Sequence, residues 1–574
     1  MGTSGVFGLP PAYSRRTFIP LAAGAIVAGG LIGAACERVA PLMGSTPSTV
    51  TPSPRGGGLY PTYVPMQGGP TPDFPSNGPL YETGFKDYPA QRFKAWTKNP
   101  PGAGGDVLAL AVVTRPAVPN ALDRNPAWQQ INQQLNVNFQ FNRPPAADYA
   151  SKLATIMAGS DLPDIICFRN GLNGTPNLPQ FLEAAVADLT PYLGGDAARD
   201  YPFLAALPTY AWKNGGCAYR GKLFMIPAMT PSLGNGFFRN VNVYDREIGQ
   251  DYAPKDAADF KRVLQQLTRP SEGRWGIGDW QGTGFHITTF AAMFGAPNNW
   301  HADANGNLVK DVETSQFKEA VGYVRDLYAS GVFHPDALTT TDNTAAGTGF
   351  TAGKWVVMVQ GYAGTWQQQW FRALALDPPN SFMPIGPFAA HAGAHPGVFL
   401  GSGVSITTGF KKAPETRIRE LLGVLDWLAA PFGSEEDLLM TFGAEGTDWT
   451  SDESGHPRPT QQSNADAAAV NWKNIVTHPP VANAVGLPEF AEATVNVERQ
   501  LIPLAVDDPT LGLVSATDNS RGVVLTNTFN DGVVDIIAGR RPLADYDQLV
   551  KDWRTSGGDT IRGEYQQAIS EAAR

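Results

Sequence analysis

The sequence predicts an α/β protein whose core is divided between two lobes. Three observations carry that expectation. Short apolar runs alternate with amphipathic helical segments from residue 107 onward. The chain has 574 residues, too many for one hydrophobic core. Its composition is 43% hydrophobic and 17% charged, which supports a folded body and excludes a mostly disordered or coiled-coil chain.

The elements follow in order. Residues 107–113 form a continuous apolar run, as a strand buried on both faces requires. Asn125 caps a helix that starts at Pro126 and carries Trp128, Ile131 and Leu135 on one face. Residues 137–141 alternate like a strand. Tyr149, Leu153, Ile156 and Met157 keep helical spacing, and 165–168 make a third strand. This βαβαβ order favours a parallel sheet. Asp256 caps a helix bearing Phe260, Val263, Leu264 and Leu267. Phe317, Val321, Val324 and Leu327 share another helical face, as do Ile418, Leu421, Leu422, Leu425 and Leu428. Residues 353–359 read as a late strand. A ligand would sit in the crevice between the halves.

The first 36 residues read as an address. Ser14-Arg15-Arg16-Thr17-Phe18-Ile19 precedes a Gly/Ala-rich apolar stretch ending at Cys36, a pattern similar to a twin-arginine export signal. A transmembrane anchor is the alternative, weakened by four glycines among the nineteen uncharged residues 17–35. Cys36 reads as a lipidation site on the outer face of the cell membrane. Gly33 stands where a lipobox has Leu, so cleavage by an ordinary signal peptidase is the other reading. Between Glu37 and Leu80 there are 10 Pro and 7 Gly in 44 residues, as expected of a tether over 37–105. Lys+Arg 43 against Asp+Glu 53 gives −10, so no basic excess invites nucleic acid. Export leaves Cys167 and Cys217 either as one disulfide or as two buried free thiols.

No zinc-protease, C-x-x-C, nucleophile-elbow or P-loop motif occurs, and no carboxylate pair stands out among the 53 acids. His391 and His395 fall in a loop, where a four-residue spacing has no helical meaning. Asp303, Asn305, Asn307 and Asp311 place oxygen side chains at alternating positions, as a structural calcium requires. The Asn305-Gly306 pair is equally a hairpin turn. No other cofactor is expected. Several tryptophans lie in polar, Gly-rich segments, where ring faces could stack on sugars while Asp, Asn and Glu bind hydroxyls. Core packing accounts for more than half of the thirteen.

Eight segments together resemble the family 1 extracellular solute-binding proteins, the sugar-binding lipoproteins of ABC importers, in their large lipoprotein branch. They include Ser160-Asp161-Leu162-Pro163-Asp164-Ile165, Gly221-Lys222-Leu223-Phe224-Met225-Ile226-Pro227, Ala296-Pro297-Asn298-Asn299-Trp300, Gly443-Ala444-Glu445-Gly446-Thr447-Asp448-Trp449 and Trp553-Arg554-Thr555-Ser556-Gly557-Gly558-Asp559. The resemblance implies a hinged two-lobed fold, each lobe a mostly parallel sheet flanked by helices. Lobe 1 is expected over 106–230 and 351–400, lobe 2 over 231–350 and 401–574, with passes near 228–233, 349–353 and 400–404. It implies an oligosaccharide or other polyhydroxylated ligand, permease subunits as partners, a monomeric receptor and no catalysis. Cleft residues carried over by motif are Asp161, Trp300, Glu445 and Trp449; local chemistry adds Asn240, Trp280 and Trp366. An exported polysaccharide-processing enzyme and a ligand sensor for a membrane kinase are the rival classes.

Overall fold

Two sheets organise the protein. In the computed structural model, the described residues are 58–572 apart from 112–118, 146–147, 170, 279–284, 339–342, 363 and 375–378. The main strands are β1 (Asp106–Leu110), β2 (Asn138–Asn142), β3 (Ile165–Arg169), β4 (Ile226–Met229), β5 (Asn235–Asn240), β6 (Trp275–Gly278), β7 (Trp355–Gly361), β8 (Phe382–Pro384) and β9 (Val404–Phe410). The first sheet has the order β2-β1-β3-β9-β4 and the second β8-β5-β7-β6.

The βαβαβ unit folds as its pattern dictates. Asn125 Oδ1 accepts the Trp128 amide at 2.9 Å and so caps the helix Pro126–Leu135. β1 pairs in parallel with β2 on one side and β3 on the other. The sheets are nevertheless mixed: β9 runs antiparallel to β3 and β4, and β5 runs antiparallel to β7 and β8. The reason is the path of the chain. β5 and β9 are each entered from the other lobe, so they arrive running against their neighbours.

That path also corrects the lobe boundaries. Residues 351–400, expected in the first lobe, contribute β7 and β8 to the second sheet. β9, expected in the second lobe, lies between β3 and β4 in the first. Residues 349–353 are no crossing, because the turn at Gly353 (φ 73°) leads the helix Asn343–Thr351 into β7 within one lobe. The third pass lies between Val476 in the first core and Ala484 in the second lobe, and Ala505–Val506 adds a further strand at the hinge. That strand pairs in parallel with Val398–Phe399, while Leu233 bridges Leu400. Three adjacent extended segments thus make up the hinge. Asn298 fastens two of them, its Nδ2 donating to the carbonyls of Leu400 and Val506 at 2.8 Å each.

The first core contains Val107, Phe139, Phe168 and Leu422; the second sheet buries Phe237 and Val357 on one face and Phe238 and Met358 on the other. Residues 58–105, expected as a tether, form a packed strap over its described part. Pro61 bridges Gly195, Thr83–Gly84 pairs with Val481–Ala482, and Trp96 is buried in the first core. Proline and glycine interrupt helices and strands, but the aromatic residues between them still anchor the segment. Residues 1–57, including the export signal and Cys36, lie outside the described residues. Among the described residues, no helix is long and apolar enough to cross a membrane.

Candidate functional site: the interlobe crevice

The carboxyl ends of β3 and β7 meet the hinge. Ile406 pairs with Arg169 at the end of β3, and the Tyr362 amide donates to the Gly234 carbonyl at 3.1 Å just after β7. Open α/β sheets take ligands at such strand ends. Two cavities lined by both lobes flank the hinge there.

The first, of about 280 Å³, is aromatic: Tyr88, Tyr362, Phe432, Phe442 and Phe490 line it together with Glu82, Gln367, Lys473 and His478. Its charges are ordered by Asp437, which is fully buried. Asp437 accepts from Lys473 Nζ at 2.7 Å, the Tyr88 hydroxyl at 2.7 Å and the Gly433 amide at 3.1 Å; His478 Nε2 stands 3.3 Å away. Burial alone would raise this carboxyl, but Lys473 and His478 outweigh it and hold it far below the usual carboxylate range. Asp437 in turn, after burial, pushes the Tyr88 phenol well up.

The second cavity, of about 340 Å³, is polar, with Asn173, Asn214 and Ser402 facing Asn299, Asp508, Thr510 and Tyr565. Contacts already span it: Asn173 Nδ2 donates to the Tyr565 hydroxyl at 2.9 Å and to the Leu513 carbonyl at 2.8 Å. A third cavity of about 410 Å³ adjoins it through Asn299. It is walled by second-lobe and hinge residues, among them Trp300, Trp553, Phe399, Thr526 and Asn530. Ring faces beside amides and hydroxyls suit ligands that are apolar on their C–H faces and polar at their edges.

A family model described as bacterial extracellular solute-binding protein matches residues 116–431, more than half of the chain. The chain belongs to that family. This solute-binding protein is 22% identical over 473 residues to the polygalacturonan/rhamnogalacturonan-binding protein YtcQ of Bacillus subtilis, covering 78% of this chain and 88% of YtcQ. It is 22% identical to lipoprotein LipO of the same organism, covering 80% of this chain and 91% of LipO. Among solved structures, the substrate-binding protein FusA of S. pneumoniae in complex with kestose superposes with a TM-score of 0.58 at 14% identity. That match covers 82% of this chain and 99% of FusA, and it supports the two-lobed fold.

The site residues expected from sequence are scattered through the solute-binding protein. Asp161 is exposed before β3, at the strand end away from the hinge. Its neighbour Asp164 is structural, tying the Leu108 amide to Lys411 and Arg417. Asn240 is buried at the far end of β5, where its Oδ1 caps the helix Val241–Glu247. Trp366 is buried, donates to the Phe382 carbonyl at 2.6 Å and stacks on Trp370. Trp449 is 2% exposed beneath the Arg92 guanidinium, and Glu445 projects into solvent 3.8 Å from that arginine. Trp300 does wall a cavity, but it is 2% exposed and packs on Trp553 and Tyr565. Trp280 lies outside the described residues.

The cation loop is a hairpin. Asp303 Oδ1 accepts the amides of Asn305 and Asn307, and Asp311 is neutralised by Lys310 at 2.6 Å. These residues do not assemble a calcium shell, and no group of three or more metal-ligating side chains occurs among the described residues. Cys167 and Cys217 are buried free thiols, not a disulfide. Sequence reasoning missed Tyr362, Lys473 and His478. The signal for Tyr362 was its place directly after a buried strand; the other two carry no local pattern.

Proposed function

We propose that this solute-binding protein captures an oligosaccharide or related polyhydroxylated solute in the interlobe crevice and presents it to the permease of an ABC importer. The aromatic cavity at the hinge carries this reading. Rings from both lobes wall it beside Gln367 and the Lys473–His478–Asp437 charge cluster, a pairing of apolar walls with polar edges that suits a sugar. Contacts made by both lobes exist only when the lobes are together, so ligand shifts the population toward the closed form. The YtcQ likeness makes pectic oligosaccharides the first ligands to try, and the FusA likeness makes fructo-oligosaccharides the second. The N-terminal signal and Cys36 supply export and the membrane tether in this scheme.

A thermal-shift screen against oligogalacturonides, rhamnogalacturonan fragments and fructo-oligosaccharides tests it. A ligand at 100 times its Kd adds about 2.7 kcal/mol to stability, readily seen as a raised Tm. Chromatography should recover that ligand unchanged. Absence of a shift across all neutral and acidic glycans tried, or turnover of the glycan, would overturn the proposal.

A further inference from the structure

One buried polar pair is not explained by the crevice contacts. Glu82, on the strap, is 8% exposed; Glu498, on the helix Glu489–Leu501, is 3% exposed. Glu498 Oε2 accepts the Glu82 amide N–H at 2.8 Å, and the two carboxyls hydrogen-bond each other. Two facing carboxyl groups can do so only if one of them carries a proton. Tyr210, on the helix Thr209–Asn214, faces the pair, and Tyr63 on the strap stands beside Tyr210. Burial raises both phenols, so they stay neutral and supply no compensating charge. Lys473 and His478 stand on the same cavity but are committed to Asp437.

The position of the pair gives it leverage. Glu82 lines the aromatic cavity, and the next two residues, Thr83–Gly84, pair with Val481–Ala482. On the other side, the Ser232 hydroxyl in the first hinge pass donates to the Tyr210 hydroxyl at 3.4 Å. Strap, second lobe and hinge therefore converge on two carboxyl groups that need one proton between them.

We propose that Glu82 and Glu498 form a shared-proton latch: the strap seats against the helix Glu489–Leu501, completing one wall of the aromatic cavity, only while the pair holds a proton. The proposal does not depend on which ligand the crevice takes. Burial raises Glu498 to about 7 and lifts Glu82 well above the ordinary range. The latched pair thus keeps a proton that separated, solvated carboxyls would release near pH 4.5. Latching weakens as pH rises between those limits, tenfold per pH unit for one proton.

Native-state hydrogen exchange on the intact protein tests this without ligand. The Glu82 and Phe85 amides donate across the strap contact, to Glu498 and to the Ala482 carbonyl, and β3 amides serve as the reference. From pH 5 to pH 7, after correction for intrinsic exchange, strap protection should fall about a hundredfold relative to β3. Glu498→Gln and Glu82→Gln each supply a permanent amide donor, and either variant should flatten that slope. If one fails to fold, the other decides. A flat wild-type profile, or an equal slope in the variants, would overturn the latch.

Discussion

Trp449 shows how a residue with site-like surroundings can be structural. Its flanks are rich in Gly, Asp and Thr, yet the ring is buried among Tyr88, Leu438 and Phe442, and its indole N–H donates to the Gly443 carbonyl at 2.9 Å. Trp449→Ala should therefore cost about 3–5 kcal/mol, measured by urea denaturation, while the surviving folded fraction keeps its response to ligand. Loss of ligand response with unchanged stability would restore it to the crevice. The same logic applies to Asn240 and Trp366, whose polar atoms are taken up by a helix cap and a strand carbonyl. Composition around a residue reports local backbone irregularity, and a buried tight turn needs glycine and asparagine as much as a binding loop does. What decides function is which face of the turn meets the hinge. That depends on strand direction, set by partners hundreds of residues away.

Elements were more legible than residues. The helices beginning at Asn125 and Asp256 start where their caps place them, because capping is a contact over three residues. The strands at 107, 137 and 165 follow the apolar pattern for the same reason. The hinge was only partly legible, since its third segment, Ala505–Val506, is two residues long and paired at long range. Gly403 marks where the second hinge segment enters β9. Its φ is 69°, and a Cβ there would lie 2.7 Å from Ser232 Oγ and 2.8 Å from the Tyr210 ring. Gly403→Ala should thus lose about 1–3 kcal/mol of stability and push the hinge segments apart. The check is a lowered Tm with a rise in exchange of the Thr230 amide, which donates to the Gly403 carbonyl at 2.9 Å. A neutral effect on both would mean that the hinge tolerates the side chain by sliding.

At the scale of the whole molecule, buried acids set the response to pH. Burial raises Asp426 and Glu498 to about 7 and Asp448 to about 6, against ordinary values near 4. The folded state therefore binds more protons than the unfolded chain between pH 4 and 7, and stability falls as pH rises through that window. The depressed carboxyl of Asp437 acts only below pH 4, so it does not offset this. Tm should drop by at least about 3 °C from pH 5 to pH 8, and a Tm that rises instead would contradict the burial of these groups. Topology makes a second demand. Because β9 lies between β3 and β4, the first lobe is not a contiguous piece of sequence, and the reading that closed it at residue 400 left its sheet without a central strand. β3 and β4 have no direct pairing; each finds its partner in β9 through Phe410–Ile165 and Thr408–Ile226. A fragment ending at residue 400 also leaves the helix Glu415–Leu428 off the first core, which holds Leu421, Leu422 and Leu425. Such a fragment should show no cooperative unfolding transition and no near-ultraviolet dichroism, whereas the full chain shows both. A cooperatively folded fragment would mean that the first sheet closes without β9, and the two lobes would then be separable in sequence as well as in space.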